Sequence, residues 1–79
     1  MNKLRLKIAT QEYVIYLYMP EGEGVPGEIR MKIGDNEADV ISRASKDNSA
    51  EHYGFKAAIA VKECVHRKNF PLEFTQAWV

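Results

Sequence analysis

The chain has very little of several features that usually point to a location or a partner. It contains one cysteine, Cys64, so it forms no internal disulfide, and a reducing, cytoplasmic location is expected. It has no net charge, because eleven basic residues balance eleven acidic ones, so charge alone favours no class of partner. Its longest apolar run, residues 13–19, is far shorter than the roughly 18 residues that span a bilayer, so no membrane partner is expected.

The sequence also lacks a convincing set of catalytic or metal-binding residues. Cys64 falls among small residues on a predicted helix, a position typical of core packing, and no histidine shares its side of that helix. The nearest approach to a metal site combines Glu63 and His66 with the distant His52, and these histidines are too far apart to share one ion. We therefore expect no enzymatic activity, no metal site and no cofactor.

Alternating apolar residues predict five strands. In the first, Leu4, Leu6 and Ile8 fall on one face and basic residues on the other. The second is apolar on both faces, which is typical of a central strand. The predicted strands cover residues 3–9, 13–19, 29–33 and 38–44, and a closing segment over 72–79 in which Leu72, Phe74 and Trp78 form the buried set.

One helix is predicted before the closing strand, ending near Arg67, with Asn48 or Ser49 as its expected cap. The order β-β-β-β-α-β predicts an α+β fold with a single, mostly antiparallel sheet and one helix packed on one face. We expect one compact domain over residues 1–79. The pattern leaves open whether the last strand pairs parallel or antiparallel, and it leaves one face of the sheet to water or a partner.

Part of this pattern resembles a known family. The matching stretches, within about residues 13–65, are "YVIYLY", "GEIRMKI", the turn "GDNE", the strand "ADVISRA" and the helix segment "AEHYGFKAAIAVK". They are similar to the YegP-like family of small bacterial domains, although the turn here carries Asp35-Asn36 and the helix carries Tyr53-Gly54-Phe55. The resemblance implies the same α+β fold and brings no defined biochemical activity with it.

The helix has apolar residues on more than one side. A broad stripe of mostly small residues can lie close to the sheet; it comprises Ala50, Tyr53, Gly54, Ala57, Ala58, Ala60, Val61, Cys64 and Val65. Phe55 and Ile59 fall on the opposite side, one turn apart. With Lys62, Glu63 and His66 beside them, they predict a protein-contact patch. The alternative is a rotated helix whose core face includes Phe55.

The open face of the sheet offers a second candidate surface. If Ile15, Leu17 and Met19 face the helix, tyrosines and basic residues share the other face: Lys3, Arg5, Lys7, Tyr16, Tyr18, Arg30 and Lys32. Aromatic rings that stack bases and cations that hold phosphates are typical of proteins that bind single-stranded nucleic acid. Ordinary cross-strand packing of tyrosines and long basic side chains is the alternative, and the zero net charge favours it.

These observations favour a small non-enzymatic binding protein that acts through protein–protein contact. Its partner would be another protein or a second copy of itself in a homodimer. The size is that of the compact inhibitors and adaptors that phages and mobile elements encode. The alternative hypothesis is binding of single-stranded nucleic acid through the basic and aromatic open face of the sheet.

Overall fold

Within the described residues, five strands form one open antiparallel sheet, and a single helix lies across one of its faces. The computed structural model describes residues 1–78, so Val79, the end of the predicted closing segment, lies outside the described residues. The elements are β1 (Asn2–Ala9), β2 (Tyr13–Pro20), β3 (Gly27–Lys32), β4 (Asp39–Ser42), α1 (Tyr53–Arg67) and β5 (Glu73–Gln76). The α+β class and the order β-β-β-β-α-β are confirmed.

The strand order across the sheet is β4-β3-β2-β1-β5, so β2 is the central strand, as its apolar character predicts. β5 pairs antiparallel with β1, which settles the orientation of the last strand. The core lies between α1 and the face of the sheet formed by side chains such as Leu4, Tyr16 and Ile29, all of them fully buried.

A β-bulge in β1 changes the face of one predicted core residue. Leu6 pairs with Tyr16, but the next pair is Ile8 with Ile15, so Lys7 is an extra residue in β1. The bulge moves Ile8 to the face opposite the helix, where its side chain is 40% exposed. The prediction that Ile8 packs under the helix with Leu4 and Leu6 is therefore wrong.

Two other residues predicted to be buried lie at the surface because each falls outside the element expected to bury it. Leu72 precedes β5 and is 75% exposed. Ala50 lies in the turns before α1 and is exposed. Phe74 and Trp78 of the predicted buried set do pack, half-buried, against the core.

The N-terminus of α1 is held by Asp47 and not by the predicted caps. Asp47 Oδ2 accepts hydrogen bonds from the backbone N–H of Gly54 at 3.1 Å and from the hydroxyl of Tyr18 at 2.6 Å. Asn48 instead accepts from the backbone N–H of Glu51 and so caps the preceding turn. The Asp47 side chain is only 7% exposed, which makes this carboxylate a buried link between the central strand and the helix.

The helix can reach this position because Gly54 has no side chain. A Cβ at Gly54 would lie 2.8 Å from Asp47 Oδ2 and 3.0 Å from the hydroxyl of Tyr18, closer than normal contact distances allow. On β3, a Cβ at Gly27 would collide with the Tyr18 ring and with the backbone N of Ala44. Two glycines thus clear the space in which Tyr18 and Asp47 meet.

Two side-chain amides, one buried and one half-buried, attach the closing strand. The side-chain amide of Asn2, at the start of β1, donates to the carbonyl of Tyr53 at 3.0 Å and to Oε1 of Gln76 at 3.1 Å. Gln76 in turn donates to the carbonyl of Lys56 at 2.7 Å. Because buried polar groups are costly unless paired, these bonds fix β5 against both β1 and the first turn of the helix.

Replacing Asp47 with alanine should destabilise the fold by about 1–3 kcal/mol, because the buried Tyr18 hydroxyl and the Gly54 N–H lose their acceptor. Urea unfolding followed by circular dichroism would measure the change. Asn48→Ala is the matched control, since it removes one exposed turn bond, and its effect should be clearly smaller. Equal effects for the two variants would contradict the linking role of Asp47.

Candidate protein-contact surfaces

The outer flank of α1 exposes two large apolar side chains one turn apart. Phe55 is 67% exposed and Ile59 is 48% exposed, whereas Ala57 and Val61 on the sheet side of the helix are fully buried. The helix is therefore phased with its small residues against the sheet, and Phe55 is a surface residue and not part of the core.

Phe55 and Ile59 line a groove of about 340 Å³ between the helix and the segment that leads into β4. Glu37 and Ala38 form the opposite wall. The ammonium of Lys62, which also lines the groove, lies 3.4 Å from Oε1 of Glu37 and so bridges its two walls. We call this the helix-flank groove.

The structure brings together only part of the predicted patch. Phe55, Ile59 and Lys62 share the helix-flank groove. Glu63 instead pairs with Arg67 one turn further on, at 3.1 Å. His66 lines a separate groove of about 550 Å³ at the end of the helix, and neither it nor Glu63 lines the helix-flank groove.

Strand β4 adds an apolar edge beside this groove, a contact surface that the sequence patterns did not predict. All four residues of β4 are exposed, including Val40 at 43% and Ile41 at 51%. In the described sheet β4 has one neighbour, β3, so its other side offers backbone groups to a further strand. Val40 and Phe55 together line an adjoining groove of about 310 Å³. The adjacent β-branched residues Val40 and Ile41 were the sequence signal for this edge.

The tyrosines expected on the open face lie inside the molecule, so that expectation is wrong for Tyr16 and Tyr18. Both are fully buried on the helix side of β2. The Tyr16 hydroxyl donates to the carbonyl of Pro71 at 2.7 Å, and the Tyr18 hydroxyl bonds to Asp47. Since every residue of β2 is apolar or aromatic, alternation alone did not indicate which set faces the helix.

The open face carries instead the other set of β2 side chains. Half-buried Tyr13, Ile15, Leu17 and Met19 form a row along the middle of this face. The predicted basic residues do flank it. Cross-strand pairing places Lys3 beside Met19, Arg5 beside Leu17, Arg30 beside Ile15 and Lys32 beside Tyr13. We call the row the apolar spine.

Ion pairs occupy part of this basic surface. Arg5 lies 3.1 Å from Glu73, and the ammonium of Lys7 reaches across the sheet to Glu28 at 2.8 Å. The guanidinium of Arg30 lies 5.2 Å from the centre of the Tyr13 ring, within range of a cation–π interaction. The two ion pairs neutralise Arg5 and Lys7, two of the basic side chains on which nucleic-acid binding would depend.

Cys64 is half-buried on the side of the helix that faces Tyr16. Burial raises the pKa of the Cys64 thiol, which disfavours the reactive thiolate at neutral pH. Within residues 1–78, no group of three or more His, Cys, Asp and Glu side chains is placed to hold a metal ion.

No helix in the described part of the chain is both long enough and apolar enough to cross a membrane. Comparison with known proteins gave no match: no family model, no curated protein and no solved structure is significantly similar to this chain. The resemblance to the YegP-like family therefore stays a prediction.

The buried tyrosines should make the fold sensitive to alkali. The ordinary pKa of a tyrosine is 10.0. Burial, together with the hydrogen bond to Asp47, raises the pKa of Tyr18 to about 12, and burial raises the pKa of Tyr16 as well. The folded state therefore favours the neutral phenols. Their contribution to stability is complete below pH 10.0 and is lost as the pH rises through the folded pKa values.

We expect tyrosinate absorbance from Tyr16 and Tyr18 to appear together with loss of the native circular dichroism signal, above pH 10.0. Tyr16→Phe removes one of the two phenols and should make the stability fall less steeply with pH. Complete ionisation of both tyrosines near pH 10.0 in a still-folded protein would contradict the burial described above.

Proposed function

We propose that this protein is a non-enzymatic binding protein that acts by protein–protein contact through the helix-flank groove and the edge of β4. The observation that carries the proposal is the exposure of Phe55 and Ile59 side by side in a groove next to β4, which within residues 1–78 pairs with β3 alone. The partner is another protein or a second copy of the chain. The location is cytoplasmic, which the single free cysteine supports.

The chemistry of this surface suits a protein partner. Covering a large apolar side chain such as Phe55 or Ile59 contributes roughly 1.5–3 kcal/mol. That gain is offset by the loss of translational and rotational freedom on association, so the two residues alone support only weak binding. A strand added to β4 would contribute backbone hydrogen bonds, and its alternate side chains would enter the groove beside Phe55.

An inhibitor or an adaptor fits this mode of action, because either one needs only to occupy a surface. Binding of single-stranded nucleic acid is the less supported alternative. The open face retains its basic residues, but Tyr16 and Tyr18 are buried and hydrogen-bonded, and among residues 1–78 Tyr13 is the aromatic residue left on that face.

Phe55→Glu should abolish association with a partner, or self-association, while leaving the fold intact. Because Phe55 is mostly exposed, the free energy of unfolding should change by no more than about 0.5 kcal/mol. Sedimentation velocity over a range of concentrations would measure self-association. Cross-linking with mass spectrometry would show whether the contacts fall on 37–41 and 55–59.

Leu72→Glu provides the matched control. Leu72 is also a large apolar residue and is 75% exposed, but it lies just before β5, at the edge of the sheet opposite β4. This variant should behave as the wild type. The proposal fails if neither self-association nor a partner is found, or if Phe55→Glu and Leu72→Glu affect association equally.

A further inference from the structure

The open face of the sheet carries a row of half-buried apolar side chains on the side away from α1. Its apolar spine is Tyr13, Ile15, Leu17 and Met19, and the bulge in β1 adds Ile8 beside Ile15. The solvated face of an antiparallel sheet is usually polar, so an apolar row along it favours contact with a second layer. In the described residues the only helix, α1, lies on the other face.

Charge distinguishes this face from the rest of the molecule. Basic residues border the apolar spine on both sides: Lys3, Arg5 and Lys7 from β1, and Arg30 and Lys32 from β3. The carboxylates on the same face are fewer, namely Glu28, Asp39 and Glu73. Because the whole chain is neutral, the excess of positive charge here is matched by an excess of negative charge elsewhere. Within residues 1–78, Lys3 and Lys32 take part in no salt bridge.

We infer that the open face is a second binding site, and that its ligand is an amphipathic helix of a partner protein whose apolar stripe is bordered by aspartate or glutamate. This inference goes beyond the proposed function, since it concerns the opposite side of the sheet and depends on none of the residues of the helix-flank groove.

The dimensions of the face match those of a helix. From Tyr13 to Met19 the apolar spine extends about 20 Å at roughly 3.3 Å per residue, the length of about 13 helical residues. The basic borders on β1 and β3 are two strand spacings apart, about 10 Å, which is close to the diameter of a helix. A helix laid over β2 would therefore bring carboxylates on both of its sides within reach of cations.

The existing ion pairs differ in where they lie. Arg5–Glu73 is an exposed pair at the border of the face and contributes little to stability. Lys7–Glu28 spans β2, so a helix laid over the apolar spine displaces this pair and offers Lys7 a carboxylate of its own. Nucleic acid fits the face less well, because apolar side chains and not aromatic rings occupy its centre, and the Tyr13 ring is already covered by Arg30.

The test uses defined probes and the intact chain. Three labelled probes are titrated by fluorescence anisotropy: two helical peptides of about 14 residues with the same leucine stripe, bordered by glutamate in one and by lysine in the other, and a single-stranded oligonucleotide. We expect the glutamate-bordered peptide to bind at least about tenfold more tightly than the lysine-bordered one. Amide chemical shifts should change along β2 and not around Phe55.

Reversing the charge of two exposed residues, Lys3 and Lys32, gives the decisive variant, because neither side chain belongs to the core. Lys3→Glu combined with Lys32→Glu should reverse the preference between the two peptides. Phe55→Glu should leave it unchanged, which keeps failure of this inference separate from failure of the proposed function. Equal binding of the peptides, no binding at concentrations on the order of 1 mM, shifts confined to the helix-flank groove, or tighter binding of the oligonucleotide would each overturn the inference.

Discussion

The hydrogen bond from the Tyr18 hydroxyl to Asp47 determines how the helix lies on the sheet. Tyr18 extends from the central strand across Gly27, and its hydroxyl also accepts from the backbone N–H of Ala44 at 3.1 Å. Asp47 in turn accepts from the N–H of Gly54. One buried pair of side chains thus connects β2, the turn after β4 and the start of α1. Because each group would be costly to leave unpaired, these elements are held together as a unit.

The candidate surfaces follow from that arrangement. With Gly54 held against Tyr18 and Asp47, the helix is phased so that Ala57 and Val61 meet the sheet. Phe55 and Ile59 must then lie on the flank beside β4. The hydrogen bond between Tyr18 and Asp47 also requires Tyr18 to lie on the helix side of β2. Because side chains alternate along that strand, Leu17 and Met19 then lie on the open face. Both proposed binding sites are consequences of the same buried contact.

Much of this fold could be predicted from the sequence, because local patterns encode it. Neighbouring residues in the chain determine the turns, the alternating strands and the small-residue stripe of α1. These local patterns predict the element order β-β-β-β-α-β. The exposure of Phe55 also followed from helical periodicity. The pairing of β5 with β1 could not be predicted, because it depends on contacts between distant residues such as Asn2 and Gln76.

The wrong predictions for the faces of the β2 side chains and of Ile8 have a common physical cause. β2 is apolar on both faces, so hydrophobicity does not indicate its orientation. What orients it is polar: the hydroxyls of Tyr16 and Tyr18 find acceptors at Pro71 and Asp47, which are far away in the sequence. The bulge at Lys7 similarly depends on the register with β2 and leaves no trace in the alternation of β1. The composition of the open face, and with it the kind of ligand it suits, therefore emerged only from the three-dimensional structure.

The two proposed sites differ in how well the fold prepares them for binding. The apolar spine and its basic borders belong to the inner strands β1, β2 and β3, each of which is paired on both sides. A ligand there meets a preformed surface and loses little free energy to ordering it. β4 is a four-residue edge strand, fully exposed and paired on one side, so a partner strand would itself complete the pairing. The open face therefore suits a ligand of fixed helical shape, and the edge suits an extended segment that takes up its structure as it binds. The helix-flank groove shares no residue with the apolar spine and its basic borders, so a ligand at one of them leaves the residues of the other free.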